Sequence, residues 1–311
     1  VTKALEYYRG DFPLSLQSFS FHETLRDGAA GRPGGLSMFE FIEWAATQGV
    51  AGVELGAYYF PGYHDRSLPE NLAAVLSHAS RVRKKCEDRG LVITGTGLKN
   101  DFTQRERAER ELDVARTNAW IEVAAALGAP VVRVFSGFVP EGYEDRWDET
   151  AKWMADCFAR VAEHGKAFGV KVGVQNHGDS LATAEQVIRV MKMVGHDHFG
   201  VVDDTGFFRA RNAQSGADYD WYADIAAVLP YALNFLVKNR PGGRESRVPM
   251  DLQRLFTILR SSAYRGPVTI EYLLSKAEAR SYAPTVRVPQ FLAQIRRTLE
   301  LTKNAQPSVG A

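Results

Sequence analysis

Short apolar runs recur along this chain, and most are followed by a longer stretch whose apolar positions return at helical spacing. The clearest run is Val170-Lys171-Val172-Gly173-Val174-Gln175-Asn176-His177-Gly178-Asp179, which begins β-branched and ends in two amides, an imidazole and a glycine. An apolar run bounded by turn residues predicts a buried strand of a parallel sheet. The same signal predicts strands at Leu14–His22, Val50–Leu55, Leu91–Gly97, Val131–Phe135, Phe199–Gly206, Ala232–Lys238 and Gly266–Tyr272. Between them, Ser37-Met38-Phe39-Glu40, Ser67-Leu68-Pro69-Glu70, Thr103-Gln104-Arg105-Glu106 and Thr183-Ala184-Glu185-Gln186 have the spacing of helix capping boxes. Gly90 is placed to close the second of those helices. The last three helices are expected over Tyr219–Val228, Val248–Ser261 and Val288–Thr302.

Eight strand-then-helix units at a spacing of roughly 30–40 residues predict an α/β fold, a single-domain (β/α)8 TIM barrel across residues 1–311. Residues 1–11 read as an N-terminal extension and 304–311 as a disordered tail. A doubly wound sheet would need a phosphate-binding glycine turn after its first strand, and none is present. The glycine-rich segment from Gly28 to Gly35 lacks the Gly-Lys-Ser/Thr ending of a P-loop, so no nucleotide cofactor is expected.

Composition narrows the picture further. The 311 residues are 45% hydrophobic and 24% charged, with a formal net charge of +1, which gives no electrostatic footprint for nucleic acid or a membrane surface. No apolar run approaches the length of a membrane span. Cys86 and Cys157 both fall in helical patterns and are expected to be buried thiols. The start at Val1, without an initiator Met or signal-peptide pattern, fits a processed leader or a trimmed chain, leaving cytoplasmic and exported locations both open.

A barrel gathers the C-terminal ends of its strands at one mouth. In order, these ends carry His22, Glu54, Lys99 with Asn100, Arg133, Gln175 with His177, Asp204, Lys238 and Glu271. Gln175 and His177 share a face by strand alternation, as do Leu236 and Lys238. This convergence of acids, bases and amides suits a polyol or carbonyl-bearing ligand. Glu271 at the end of a buried strand needs either a function or an ion pair with Arg133 or Lys238. Glu54 serves equally well as a reacting group or as one that ties the mouth together. The aromatic loop Tyr58–Tyr63 suits a stacking wall for a sugar ring or a subunit contact, and a homo-oligomer is compatible with the second.

From Ser-Phe-Ser-Phe in strand one, through Gly-Val-Glu-Leu in strand two, to Ile-Glu-Tyr in strand eight, the chain resembles the xylose isomerase-like barrels, the sugar phosphate isomerase/epimerases. That family ends strand five in Glu-Asn-His and carries Asp-x-Gly-His or Asp-x-Gly-Asn on strand six, His-x-Lys on strand seven and Glu on strand eight. The resemblance implies one divalent metal, Mn²⁺, Mg²⁺ or a relative, held by two Glu, the Asp and the strand-seven His. Asp204 and Glu271 match that pattern, whereas Gln175 stands at the strand-five Glu, Phe207 three residues after the Asp, and Leu236 at the strand-seven His. The metal set implied here is therefore Gln175, Asp204 and Glu271, with His177 as a candidate fourth group.

An amide is no base, so the family's exchange of a proton between two Glu is not expected. The leading expectation is an enzyme acting on a carbohydrate by proton abstraction next to a carbonyl: epimerisation, isomerisation or β-elimination of an oxidised glycoside. Glu271 and His177 are the candidate catalytic groups, and His22, Glu54, Lys99, Arg133 and Lys238 the candidate substrate contacts. A catalytically inactive sugar-binding barrel or partner subunit is the alternative. An apurinic-site endonuclease would need a His-rich zinc cluster and a basic groove, and the sequence carries neither.

Overall fold

The computed structural model describes residues 12–177, 180–209, 219–243, 246–274 and 282–303. The expected extension at 1–11 and tail at 304–311 lie outside them. Eight parallel strands close into a barrel in sequence order: β1 Leu14–Gln17, β2 Gly52–Gly56, β3 Val92–Gly97, β4 Val131–Val134, β5 Lys171–Gln175, β6 Phe199–Asp204, β7 Ala232–Lys238 and β8 Val268–Glu271. Closure runs through Leu14, Ser15 and Leu16 against Val268, Thr269 and Ile270. Among the described residues, α-helices follow as α1 His22–Ala29, α2 Met38–Ala46, α3 Leu72–Asp88, α4 Arg107–Leu127, α5 Trp147–Ala167, α6 Ala184–Val194, α7 Trp221–Val228, α8 Leu252–Ser261 and α9 Pro284–Thr302. None of these helices is long and apolar enough to cross a membrane.

One set of strand side chains packs outward on the helices and makes the main core, including Val53, Leu55, Val132, Val134, Val172, Val174 and Ile270. The alternate set fills the barrel. There Val131, Val202 and Leu236 form a small separate apolar cluster. Both cysteines are buried and free, as their helical setting implied.

Local chemistry decides where elements begin. The capping boxes at Ser37–Glu40 and Thr183–Gln186 are both formed. Ser67 does not cap α3. Leu68 precedes a proline and is biased toward extended backbone, and the Asn71 side chain accepts the Ala74 N–H at 3.0 Å, so the helix starts beside its first apolar residues. Thr103 does not cap α4 either, because its hydroxyl is engaged with Asp101 and the Phe138 carbonyl. The first strand is shorter than its alternation suggests. The Gln17 side-chain oxygen accepts the Phe19 N–H and the Ser18 hydroxyl, which turns the chain into a 3-10 segment, Ser18–Phe21, and then into α1.

Candidate active site

Within three residues of its end, each odd strand is followed by a polar side chain that binds the backbone at the last residue of the next even strand or one or two residues past it. The Ser18 hydroxyl accepts the Gly56 N–H at 2.9 Å. Asn100 grips both backbone groups of Phe135, each at 2.8 Å. Asn176 does the same to Asp204, accepting from its N–H at 2.8 Å and donating to its carbonyl at 2.9 Å. Asn239 accepts the Leu273 N–H at 2.7 Å. These clamps hold the strand ends where the charged side chains emerge.

Four of the expected residues meet at the ends of β5 to β8. Lys238 and Glu271 are direct register partners on adjacent strands. The Lys238 ammonium is 1% exposed and lies 2.5 Å from Glu271 Oε1 and 3.5 Å from Asp204 Oδ2. Asp204 Oδ2 also accepts the Gln175 amide at 2.5 Å, and its Oδ1 accepts the Gly206 N–H at 2.9 Å. Burial raises the Asp204 pKa to about 6 against the opposing pull of Lys238, with the Glu271 charge adding to the rise.

Glycines make room for two buried cations. A Cβ on Gly206 would lie 2.5 Å from Cγ of Lys238, and one on Gly97 would lie 2.7 Å from the Arg133 guanidinium carbon. Arg133 donates to the Leu98 carbonyl at 2.7 Å and to the Tyr58 hydroxyl at 3.2 Å, and its guanidinium lies 4.2 Å from the Phe135 ring centre. His177 stacks on Phe207 at 4.0 Å between ring centres and meets the edge of Phe135 at 4.9 Å. The other side of the mouth is a cavity of about 100 Å³ between the ends of β1 and β8, with His22, Glu23, Glu271 and Tyr282 on its wall. His22 Nδ1 is 3.0 Å from the Tyr59 hydroxyl, so the aromatic loop braces two candidate contacts, Arg133 and His22. A larger cavity, about 290 Å³, lies beyond the mouth between the loop after β7 and α9 and shares only Tyr272 with the smaller one.

Two candidates stand apart from this cluster. Lys99 is exposed, and its ammonium faces Asp65 at 3.7 Å rather than the mouth. Glu54 is sealed inside the barrel: Gln17 donates to one carboxylate oxygen at 2.7 Å and Asn234 to the other at 2.8 Å, with Thr269 donating to Asn234 in turn. Its desolvation, opposed by the charge of Arg133, raises the pKa to about 7. Gln17 and Asn234 were not among the expected site residues, and Tyr58 was expected only as part of a stacking wall or subunit contact, not as a partner of Arg133. Gln17 and Asn234 had a signal, since both are polar positions facing inward within otherwise apolar strands.

The side chains present do not fit the divalent metal that the sequence resemblance implies. An ammonium stands against both candidate carboxylates, Gln175 presents its NH₂ to Asp204, and Leu236 belongs to the apolar cluster in the barrel. Among the described residues, no group of three or more His, Cys, Asp and Glu is arranged to hold a metal ion.

The sequence matches the family model of the xylose isomerase-like TIM barrel over residues 42–295. No curated protein matches it. Among solved structures, the chain is similar to D-psicose 3-epimerase from Clostridium cellulolyticum H10 with D-tagatose, at 13% identity, covering 92% of this chain and 99% of that one with a TM-score of 0.69. It is also similar to an L-ribulose 3-epimerase (17% identity, 96% and 98% covered, TM-score 0.67). A third is the 3-keto-D-glucoside 4-epimerase of E. coli (14% identity, 84% and 94% covered, TM-score 0.64). At these identities the structural likeness establishes the fold alone. The family match, spanning well over half the sequence, goes further: the chain belongs to the xylose isomerase-like TIM barrel family.

Proposed function

We propose that this protein is a sugar isomerase/epimerase-like enzyme that removes a proton from the carbon beside a carbonyl. The observation that carries the reading is Glu271, a residue that lines the cavity between the ends of β1 and β8 and whose carboxylate lies 2.5 Å from a desolvated ammonium. Glu271 is the base: the C–H bond breaks, its electron pair forms the enediolate double bond, and the carbonyl π electrons move onto oxygen. The ammonium of Lys238 stabilises that developing charge, and it does so more strongly in a dry site than it would in water. His177 is the alternative to Glu271 as the single base, while His22 and Arg133 contact the substrate's hydroxyl groups.

Gln175 cannot return a proton to the opposite face, which disfavours a two-carboxylate epimerisation. A single base suits isomerisation, in which the same carboxyl returns the proton to the neighbouring carbon. It equally suits β-elimination, in which the enediolate expels the leaving group of a 3-oxo-glycoside. Incubating the purified chain with a ketose panel and a 3-oxo-glycoside should reveal turnover in one of them. Glu271→Gln should lower kcat by at least about 100-fold, the scale of a lost general base. If no substrate turns over, with or without added metal, the enzyme reading fails. Thermal stabilisation by the same sugars would then assign a sugar-binding barrel.

A further inference from the structure

We infer that the Asp204–Glu271 site excludes divalent metal ions, because Gln175 and Leu236 stand where the family pattern has ligands and leave the Lys238 ammonium to neutralise the two remaining carboxylates. The charge count at the mouth supports this. Asp204 and Glu271 supply two negative charges, and the ammonium contacts both, at 3.5 and 2.5 Å. Every oxygen of Asp204 is already committed: Oδ2 to Gln175 and Lys238, Oδ1 to the Gly206 N–H. A metal would have to strip these donors and then lie next to a displaced ammonium whose side chain is almost wholly buried, Lys238 being 1% exposed.

The surroundings are built for the lysine. Gly206 lacks the Cβ that would collide with the Lys238 stem, and the Phe207 ring centre lies 5.4 Å from its Nζ, within range of a cation–π contact. Gln175 donates to Asp204 and adds no charge, and Leu236 offers no donor atom at all. The consequence for chemistry, which rests on the proton-abstraction reading, is that oxyanion stabilisation comes from a fixed side chain and does not vary with metal supply.

Mn²⁺ binding followed by EPR tests the exclusion without requiring turnover. The whole chain should bind no Mn²⁺ in a manner that Asp204→Asn removes. One further protein, Gln175→Glu/Leu236→His, restores the two lost ligands and keeps the lysine. The double variant should bind Mn²⁺ at least about 100-fold more tightly than the unmodified chain, because it regains a carboxylate and an imidazole as ligands. Folding of the double variant that depends on Mn²⁺ counts as binding. Equal affinities, whether tight or absent, would overturn the inference, as would Asp204-dependent Mn²⁺ binding by the unmodified chain. Any turnover found in the sugar assays should survive a chelator. A strict metal requirement there refutes the lysine's role, whereas absence of turnover bears only on the enzymatic reading and leaves the Mn²⁺ comparison decisive.

Discussion

Asp203 and Asp204 are adjacent, but strand alternation gives them opposite environments. Asp204 enters the barrel and gains Gln175, Gly206 and Lys238 as partners. Asp203 is fully buried on the other face, and neither of its carboxyl oxygens has a hydrogen-bond partner. Burial, with the Asp204 and Asp224 charges adding to it, raises the Asp203 pKa well above its ordinary value and so favours the protonated form. A buried polar group without partners costs stability. Asp203→Val should therefore stabilise the protein by about 1–3 kcal/mol, measurable as a raised midpoint in urea denaturation. A fall in the midpoint would show that the carboxyl has a partner in solution. The doublet was legible in the sequence; which of the two faces the mouth follows from the register of β6 on β5, where Gln175 pairs with Val202.

At the scale of elements, the polar side chains closing odd strands onto even ones tie the barrel at its mouth. Asn100 and Asn176 each satisfy both a backbone N–H and a carbonyl, a pairing that no residue without an amide can reproduce. Asn100→Ala should destabilise the protein by about 2–4 kcal/mol, because two hydrogen bonds are lost and two backbone groups of Phe135 are left unpaired. Asn100→Asp, which keeps the acceptor and loses the donor, should fall between the two. Equal denaturation midpoints for wild type and Asn100→Ala would remove the clamp from the account. The sequence showed Asn100 and Asn176 only as polar residues at strand ends. Their partners lie 35 and 28 positions away, and only closure of the barrel brings them within reach.

For the whole molecule, the interior of the barrel carries charge that the fold desolvates. Glu54 moves from 4.5 to about 7 and Asp204 from 3.8 to about 6, so in both cases the folded state holds protons that the unfolded state releases. Stability contributed in this way is fully present below the ordinary carboxylate range and is lost as pH rises through the folded values. The denaturation free energy should therefore fall between about pH 4 and pH 7, and Glu54→Gln should flatten that decline. A profile that rises across the same window would show that the two carboxylates are better solvated or better paired than their burial indicates.

Hydrophobic periodicity, capping boxes and the recurring polar strand ends were enough to read the barrel and its strand order, and to name the polar strand ends without showing which of them meet. Those signals are local, and local backbone preference acts on neighbouring residues. They misplaced the starts of α3 and α4 and overran β1, where one side chain competing for a backbone group decided the boundary. The motif also marked Gln175 and Leu236 as departures from the family pattern. Tertiary structure alone decided their consequence. It put Lys238 against Asp204 and Glu271, sealed Glu54 beneath them and left Lys99 outside. Pairing between buried charges depends on distances across the barrel, and those are set by register and closure rather than by position along the chain.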